Sequence, residues 1–246
     1  MDGTPVKLEA VTVSVGYADF LREAIPYNVV HFDKWVIVTT PKDEATRELC
    51  RRWSLQCLLT DEFFRDGDEF NKGRGIIRGI DHLASDGWCL HLDADVVLPA
   101  ATRAMLDAAH LDPEGLYGSD RVMVRSWADW QRLKHSGWLQ HDYHCRVNVP
   151  DGYALGSRWA TREYGYCPIG FFQLWHAACD LYKGHHRRPY PHRHGDAARG
   201  DVQFALQWDR RHRHLLPELL VVHLESEPGP LGVNWKGRKT KPFGSK

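Results

Sequence analysis

The sequence predicts an α/β fold with a central, mostly parallel sheet flanked by helices. Three observations predict it. Short β-branched apolar runs alternate with amphipathic stretches through the first 110 residues, in the order strand, helix, strand, helix, strand, helix, strand. The connections between them are short, which favours parallel strands with helical crossovers. A composition of 43% hydrophobic and 26% charged residues over 246 positions gives enough apolar surface for a real core.

Glu9 to Val15 is a β-branched strand, and Gly16 breaks it so that Asp19 can cap a helix beginning at Phe20. Trp35 to Thr40 is a second strand. Pro41 to Trp53 follows as a helix, with Pro and acids in its first turn and Arg51 and Arg52 in its last. Ser54 to Leu59 is a third strand, and the acidic, aromatic stretch from Asp61 to Asn71 is a loop. Gly73 to Ala84 is helical, with Ile76, Ile77, Ile80 and Leu83 on one side. Beyond the fourth strand, Pro99 to Ala109 is a helix and Gly115 to Val124 one or two strands. Trp127, Trp130, Leu133 and Trp138 recur at helical spacing, as a core face does. Cys167 to Trp175 reads as a strand, Asp201 to Arg211 as a helix with Asp201 at its N-cap, and Leu216 to Leu224 as an apolar strand ending near His223.

The fourth strand carries the chemistry. Trp88-Cys-Leu-His-Leu-Asp-Ala-Asp-Val-Val-Leu-Pro99 ends an apolar run in two carboxylates, Asp93 and Asp95. Residues two apart in a strand share a side. Two carboxylates placed there need a compensating charge, and Mg²⁺ or Mn²⁺, which usually also holds substrate phosphates, suits them. By itself Asp-x-Asp is also what a solvated strand end looks like. Ligands of parallel sheets bind at the carboxyl ends of strands, where this turn and Ser14-Val-Gly16 both fall. No Gly-x-Gly-x-x-Gly or Gly-x-x-x-x-Gly-Lys-Ser/Thr occurs, which disfavours a dinucleotide fold and a P-loop kinase.

Charge is distributed unevenly. Residues 1–182 hold 19 Lys and Arg against 26 Asp and Glu, whereas residues 183–246 hold 13 against 6. A basic final quarter suits an anionic ligand, nucleotide diphosphate or nucleic acid, or equally a basic face packed on an acidic body. The His- and Arg-rich stretch 183–200 matches no zinc spacing and reads as a loop facing phosphate or substrate. Six cysteines without a Cys-x-x-Cys pair read as reduced thiols. No apolar run reaches the roughly 18 residues of a membrane span, and no secretory signal is evident. A cytoplasmic protein is expected.

Together these residues resemble a GT-A-type glycosyltransferase of the family-2-like kind. Val-Thr-Val-Ser-Val15, Asn-Lys-Gly-Arg-Gly-Ile-Ile-Arg-Gly-Ile80 and Leu-His-Leu-Asp-Ala-Asp-Val-Val-Leu-Pro99 carry the resemblance, which covers roughly residues 9–110 and thins beyond. It implies one GT-A-like domain over 1–246, with a nucleotide-sugar half at 1–110, an acceptor half at 111–225 and a basic tail at 226–246. It implies a hexosyltransferase-like enzyme using Mn²⁺ or Mg²⁺ and a nucleoside-diphosphate sugar, with UDP-sugar the first candidate. Asp95 would be the direct metal ligand, Asp93 a ribose or metal contact, and His223 a further ligand. Asp201 would be the base of an inverting transfer, with Asp196 behind it. Ser14, Lys72, Arg74 and Arg78 would contact base or diphosphate, and Lys236, Arg238 or Lys239 of the tail would close over the latter.

Departures accompany these matches. Thr39-Thr40-Pro41-Lys42 replaces the Asp-rich turn that reads uracil, and Gly200-Asp201 replaces the usual Glu-Asp pair. The acceptor is open between hydroxymethylated DNA and a cell-surface glycan. A DNA acceptor would make affinity fall steeply with salt. Two other readings compete: a sugar nucleotidyltransferase, and a non-catalytic nucleic-acid-binding module.

Overall fold

The structure, a computed structural model, describes residues 6–84, 86–180, 190–193, 195–229 and 232–244. In chain order, β1 (Leu8–Val13), α1 (Ala18–Asn28), β2 (Lys34–Thr39), α2 (Glu44–Arg52), β3 (Gln56–Leu59), α3 (Lys72–Ile80) and β4 (Trp88–Leu92) form the first half. These strands lie side by side in the order β3-β2-β1-β4, all parallel. The expected α/β fold is therefore the observed one. Every residue of β1 is buried, because helices cover both faces.

Local sequence explains the helix ends. Asp43 caps α2 by accepting from Thr46 N at 3.1 Å, and Asn71 caps α3 by accepting from Arg74 N at 3.2 Å. α1 differs from expectation. Its cap is Tyr17, without a side-chain bond, and Asp19 lies inside the first turn, paired with Arg238 instead. Ile76 and Ile80 bury the inner face of α3. Gly79 lets α3 approach β1 closely, since a Cβ there would overlap the Val11 side chain.

The second half comprises β5 (Val96–Val97), α4 (Thr102–Ala108), β6 (Leu116–Val124), α5 (Trp127–His135), β7 (Ala154–Leu155), β8 (Trp159–Thr161), β9 (Gly165–Cys167), β10 (Phe172–His176), α6 (Gly200–Ala205) and β11 (Arg213–Leu224). The sheet continues from β4 as β10-β6-β11-β5, with β7 beside β6, while β8 and β9 form a separate pair. β10 runs antiparallel to both neighbours, and β11 is parallel to β6. β4 and β5 are joined by only three residues yet stand at separate positions in the sheet. The sheet must therefore curl, and Asp93-Ala94-Asp95 closes the curl.

Of the one or two strands expected over Gly115 to Val124, one forms, β6. Three sequence readings change here. The Cys167 to Trp175 segment breaks at Pro168–Phe171 into β9 and β10. α6 stops at Ala205, well short of Arg211. Trp130, Leu133 and Trp138 are core, but Trp127 is 38% exposed. Cys89 is buried in the core, and none of the six cysteines is in a disulfide. No helix among the described residues is long and apolar enough to cross a membrane.

Candidate active site

A cavity of about 260 Å³ opens at the carboxyl ends of the parallel strands. Its floor is the Asp93-Ala94-Asp95 turn. One wall is Lys72 and Gly73 at the start of α3. The lining also includes Arg121 of β6, His223 of β11, Asp201 of α6 and residues 232–235.

The two carboxylates lie in a turn beyond β4, so strand alternation does not place them. They share the cavity but face different partners. Asp93 pairs with Lys72 Nζ, and its Oδ1 lies 3.4 Å from His91 Nε2. Burial opposes the charge on Asp93, yet Lys72 and His91 hold its carboxyl well below the usual range. Among the described residues, Asp95 is paired with no such cation. Burial and then the charge of Asp93 push its carboxyl up to about 7. Its Oδ1 is buried without a hydrogen-bond partner, 3.8 Å from His223 Nε2. Burial and then Arg121 push His223 down to about 3, so the ring is neutral and offers a lone pair.

His223 reaches Asp95 because β11 pairs with β5, in a register that sets His223 opposite Val96. The same pairing lets Leu224 N donate to Asp95 O at 2.8 Å. An orphaned carboxylate oxygen beside a neutral imidazole is a donor set that fits Mn²⁺ or Mg²⁺. Among the described residues no three His, Cys, Asp or Glu converge as a complete cage. The pair suits an ion whose remaining positions are filled by phosphate oxygens and water.

Asp201 lies in the first turn of α6, and the cap residue is Arg199, at a left-handed φ of 64°. Both of its carboxylate oxygens accept from backbone, Oδ2 from Gly170 N at 2.8 Å and Oδ1 from Val202 N at 2.7 Å. A buried polar chain links this helix to His91 beside Asp93. Gln173 Nε2 donates to Asp201 O and Pro168 O, both at 2.9 Å. Its Oε1 accepts from Tyr190 OH at 3.0 Å and lies 3.3 Å from His91 Nδ1.

The structure brings together Lys72, Asp93, Asp95, Asp196, Asp201 and His223. The other expected contacts stand apart from the cavity lining. Ser14 is buried against Thr46, its hydroxyl 3.2 Å from that of Thr46. Arg74 pairs with Asp66 and Asp68, and Arg78 is exposed on α3. Lys236 pairs with Glu69. Arg238 is held by Asp19 and packs over the Tyr17 and Phe20 rings, which locks the tail onto α1 rather than over a diphosphate. Residues 183–189 and 194 of the 183–200 stretch lie outside the described residues; of the rest, Tyr190, Pro191, Asp196, Ala197 and Gly200 line the cavity. Sequence reasoning missed Arg121, Phe171, Gln173, Glu225 and Trp235. Only the alternation His223-Leu-Glu225 hinted at one of them.

Gly73 shows how tightly the wall is closed. A Cβ there would overlap the Pro191 carbonyl oxygen. Gly73→Ala should destabilise the fold by about 1–3 kcal/mol, the usual cost of overpacking. A thermal melt should register it as a loss of several degrees.

No protein-family model matches this chain, and no curated protein matches it by sequence. Solved structures do. Mannosyl-3-phosphoglycerate synthase from Rubrobacter xylanophilus is 17% identical, over 49% of this chain and 41% of that one, with a TM-score of 0.38. Glucosyl-3-phosphoglycerate synthase from Mycobacterium tuberculosis, in complex with Mn²⁺, UDP and glucosyl-3-phosphoglycerate, is 11% identical over 47% and 44%, at 0.34. The inositol-1-phosphate CTP transferase from T. maritima is 9% identical over 90% and 87%, at 0.42. The matches to the two synthases span less than half of their lengths. Strand order and site together define the class as an α/β fold with a mostly parallel central sheet and a carboxylate turn at its carboxyl edge.

Proposed function

We propose that this protein is a metal-dependent glycosyltransferase that moves a sugar from a nucleoside-diphosphate sugar to an acceptor hydroxyl. The observation that carries this reading is the convergence of Asp95, His223, Lys72 and Asp201 on one cavity from four separate elements. Asp95 and His223 would hold Mn²⁺ or Mg²⁺, with Asp93 beside them. The ion would supply Lewis-acid stabilisation of the leaving diphosphate. Lys72, already oriented by Asp93, supplies a second positive charge at the same wall. Asp201 would take the acceptor proton in an inverting transfer, and Asp196 lies in the same lining as a second acid. Residues 232–235 and Pro191 shield the cavity, which limits donor hydrolysis by water. One domain would carry both donor and acceptor halves, with a glycan or DNA as acceptor.

A nucleotidyltransferase is the alternative. Such a fold would use free backbone N–H groups after the first strand to cradle a triphosphate. Here Gly16 N donates to Asp43 Oδ2 at 2.8 Å, which removes one such donor and favours the glycosyl reading. A binding module without catalysis would have no use for an unpartnered carboxylate beside a histidine.

A thermal-shift panel tests the proposal: UDP-, GDP- and CDP-sugars and the free triphosphates, each with and without Mn²⁺. One nucleoside-diphosphate sugar should stabilise the chain only when Mn²⁺ is present, by about 2.7 kcal/mol at 100 times its dissociation constant. Stabilisation by CTP or UTP alone, with no response to any diphosphate sugar, would sink the glycosyltransferase reading.

A further inference from the structure

Among the described residues, Arg121 is the one cation of the cavity lining for which the site above has no use. It belongs to β6, in register with Val221 of β11, and its guanidinium lies over the Phe171 ring at 4.3 Å. On its other side is Gly156, where a Cβ would come within 2.6 Å of Arg121 Nε. The stem is thus clamped between a ring and a bare backbone. A clamped arginine has already lost the rotamer freedom that binding would otherwise cost.

No hydrogen bond or ion pair satisfies this side chain among the described residues. Nε is fully shielded and without a partner, while the outer edge of the guanidinium lines the cavity. The neighbouring acid does not serve it. Asp120 accepts from Arg158 Nε at 2.7 Å and pairs with Arg146 at 3.4 Å. Lys72, the other cation of the lining, is already paired with Asp93. A held, desolvated guanidinium with free N–H donors is the usual recognition element for a planar or tetrahedral oxyanion.

We propose that Arg121 is an oxyanion subsite, binding a carboxylate or phosphate ester carried by the substrate in the cavity it shares with Asp201. This rests on the transferase reading for what fills the rest of the cavity. The oxyanion belongs either to the acceptor or to a uronate donor sugar, and recognition by Arg121 is the same in both. Arg121 shares the cavity lining with Asp95, His223 and Asp201, and the diphosphate is assigned to Lys72 and the ion.

The test uses the full chain with Mg²⁺ and saturating UDP, into which inorganic phosphate is titrated while the melting temperature is followed. Phosphate should raise the melting temperature saturably. In Arg121→Gln its apparent affinity should fall about tenfold or more, the scale of hydrogen bonds to a charged group, with the UDP response intact. Arg121→Lys, which keeps charge but not the planar fork, should fall between the two and covers the case of a glutamine variant that does not fold. UDP-glucuronate and UDP-glucose separate the sources. A donor uronate should bind more tightly than glucose only with Arg121 present and should block the phosphate response, whereas an acceptor subsite leaves that response on both.

Equal phosphate responses in wild type and Arg121→Gln would overturn the proposal. So would a variant that loses only metal binding, which would make Arg121 a counter-charge for Asp95 and Glu225. If UDP with Mg²⁺ fails to bind wild type, the transferase reading falls instead. The Arg121-dependent phosphate response of the nucleotide-free chain then decides the subsite alone.

Discussion

Asp95→Ala should abolish the Mn²⁺-dependent stabilisation by nucleotide while leaving the metal-free chain as stable as before or more so. The two effects have opposite signs for one reason. In the metal-free fold Asp95 Oδ1 is buried without a partner, so the carboxylate costs desolvation and gains no hydrogen bond. The backbone bond from Leu224 N to Asp95 O does not need the side chain and survives the substitution. With the metal present the same oxygen becomes a ligand, and its removal should lose the whole metal-linked term, about 2.7 kcal/mol at 100 times the dissociation constant. Melting curves with and without Mn²⁺ and nucleotide read both. Asp93→Ala supplies the contrast. It leaves Lys72 unpaired in a partly buried site and should destabilise the chain even without metal. A destabilised Asp95→Ala chain that still responds to Mn²⁺ would remove Asp95 from the metal site.

Asp201→Asn should lower turnover by about 10²–10⁴-fold, the usual contribution of a positioned general base. The sequence by itself suggests that this change is silent in folding. The structure says otherwise. Both carboxylate oxygens accept from backbone N–H groups, those of Gly170 and Val202. An asparagine can accept at one position only and turns an NH₂ toward the other donor. A cost of about 1–3 kcal/mol follows from one unsatisfied donor. Turnover should therefore be measured per folded molecule, below the melting range of the variant. A variant that is less stable but turns over normally would make Asp201 a brace for the Pro168–Phe171 turn. The base would then be sought at Asp196, which lines the same cavity.

Both predictions concern residues that were visible in the sequence, and the reason is local. Asp93 and Asp95 end an apolar strand, Asn71 caps the helix before them, and Lys72 follows the cap. Nearest-neighbour spacing is enough to find such features, because a strand and a capped helix are written in consecutive residues. The four parallel strands of the first half were legible for the same reason. The second half was less so. Pro168–Phe171 breaks what reads as one strand, and α6 ends six residues before Arg211, because tertiary contacts to Asp201 and Gln173 set those boundaries.

Long tail side chains pair with acids of the body. Lys236 and Arg238 have the composition of a phosphate clamp, yet they are spent on Glu69 and Asp19. Composition reports that a cation exists; only packing decides which anion it meets. Arg121 is the converse. In sequence it is one arginine in a strand, with nothing to mark it. In the structure Phe171 and Gly156 hold it, and its neighbour Asp120 is already taken by Arg158.

What the sequence by itself determined was the order of strands and helices in the first half, and the carboxylate turn at the end of β4. What only the tertiary structure decided was the company of that turn. β5 returns to pair with β11, and this single antiparallel contact brings His223 within 3.8 Å of Asp95 from more than a hundred residues away. The physical reason is that a curled sheet closes on itself through hydrogen bonds between distant strands, whose register no local pattern encodes.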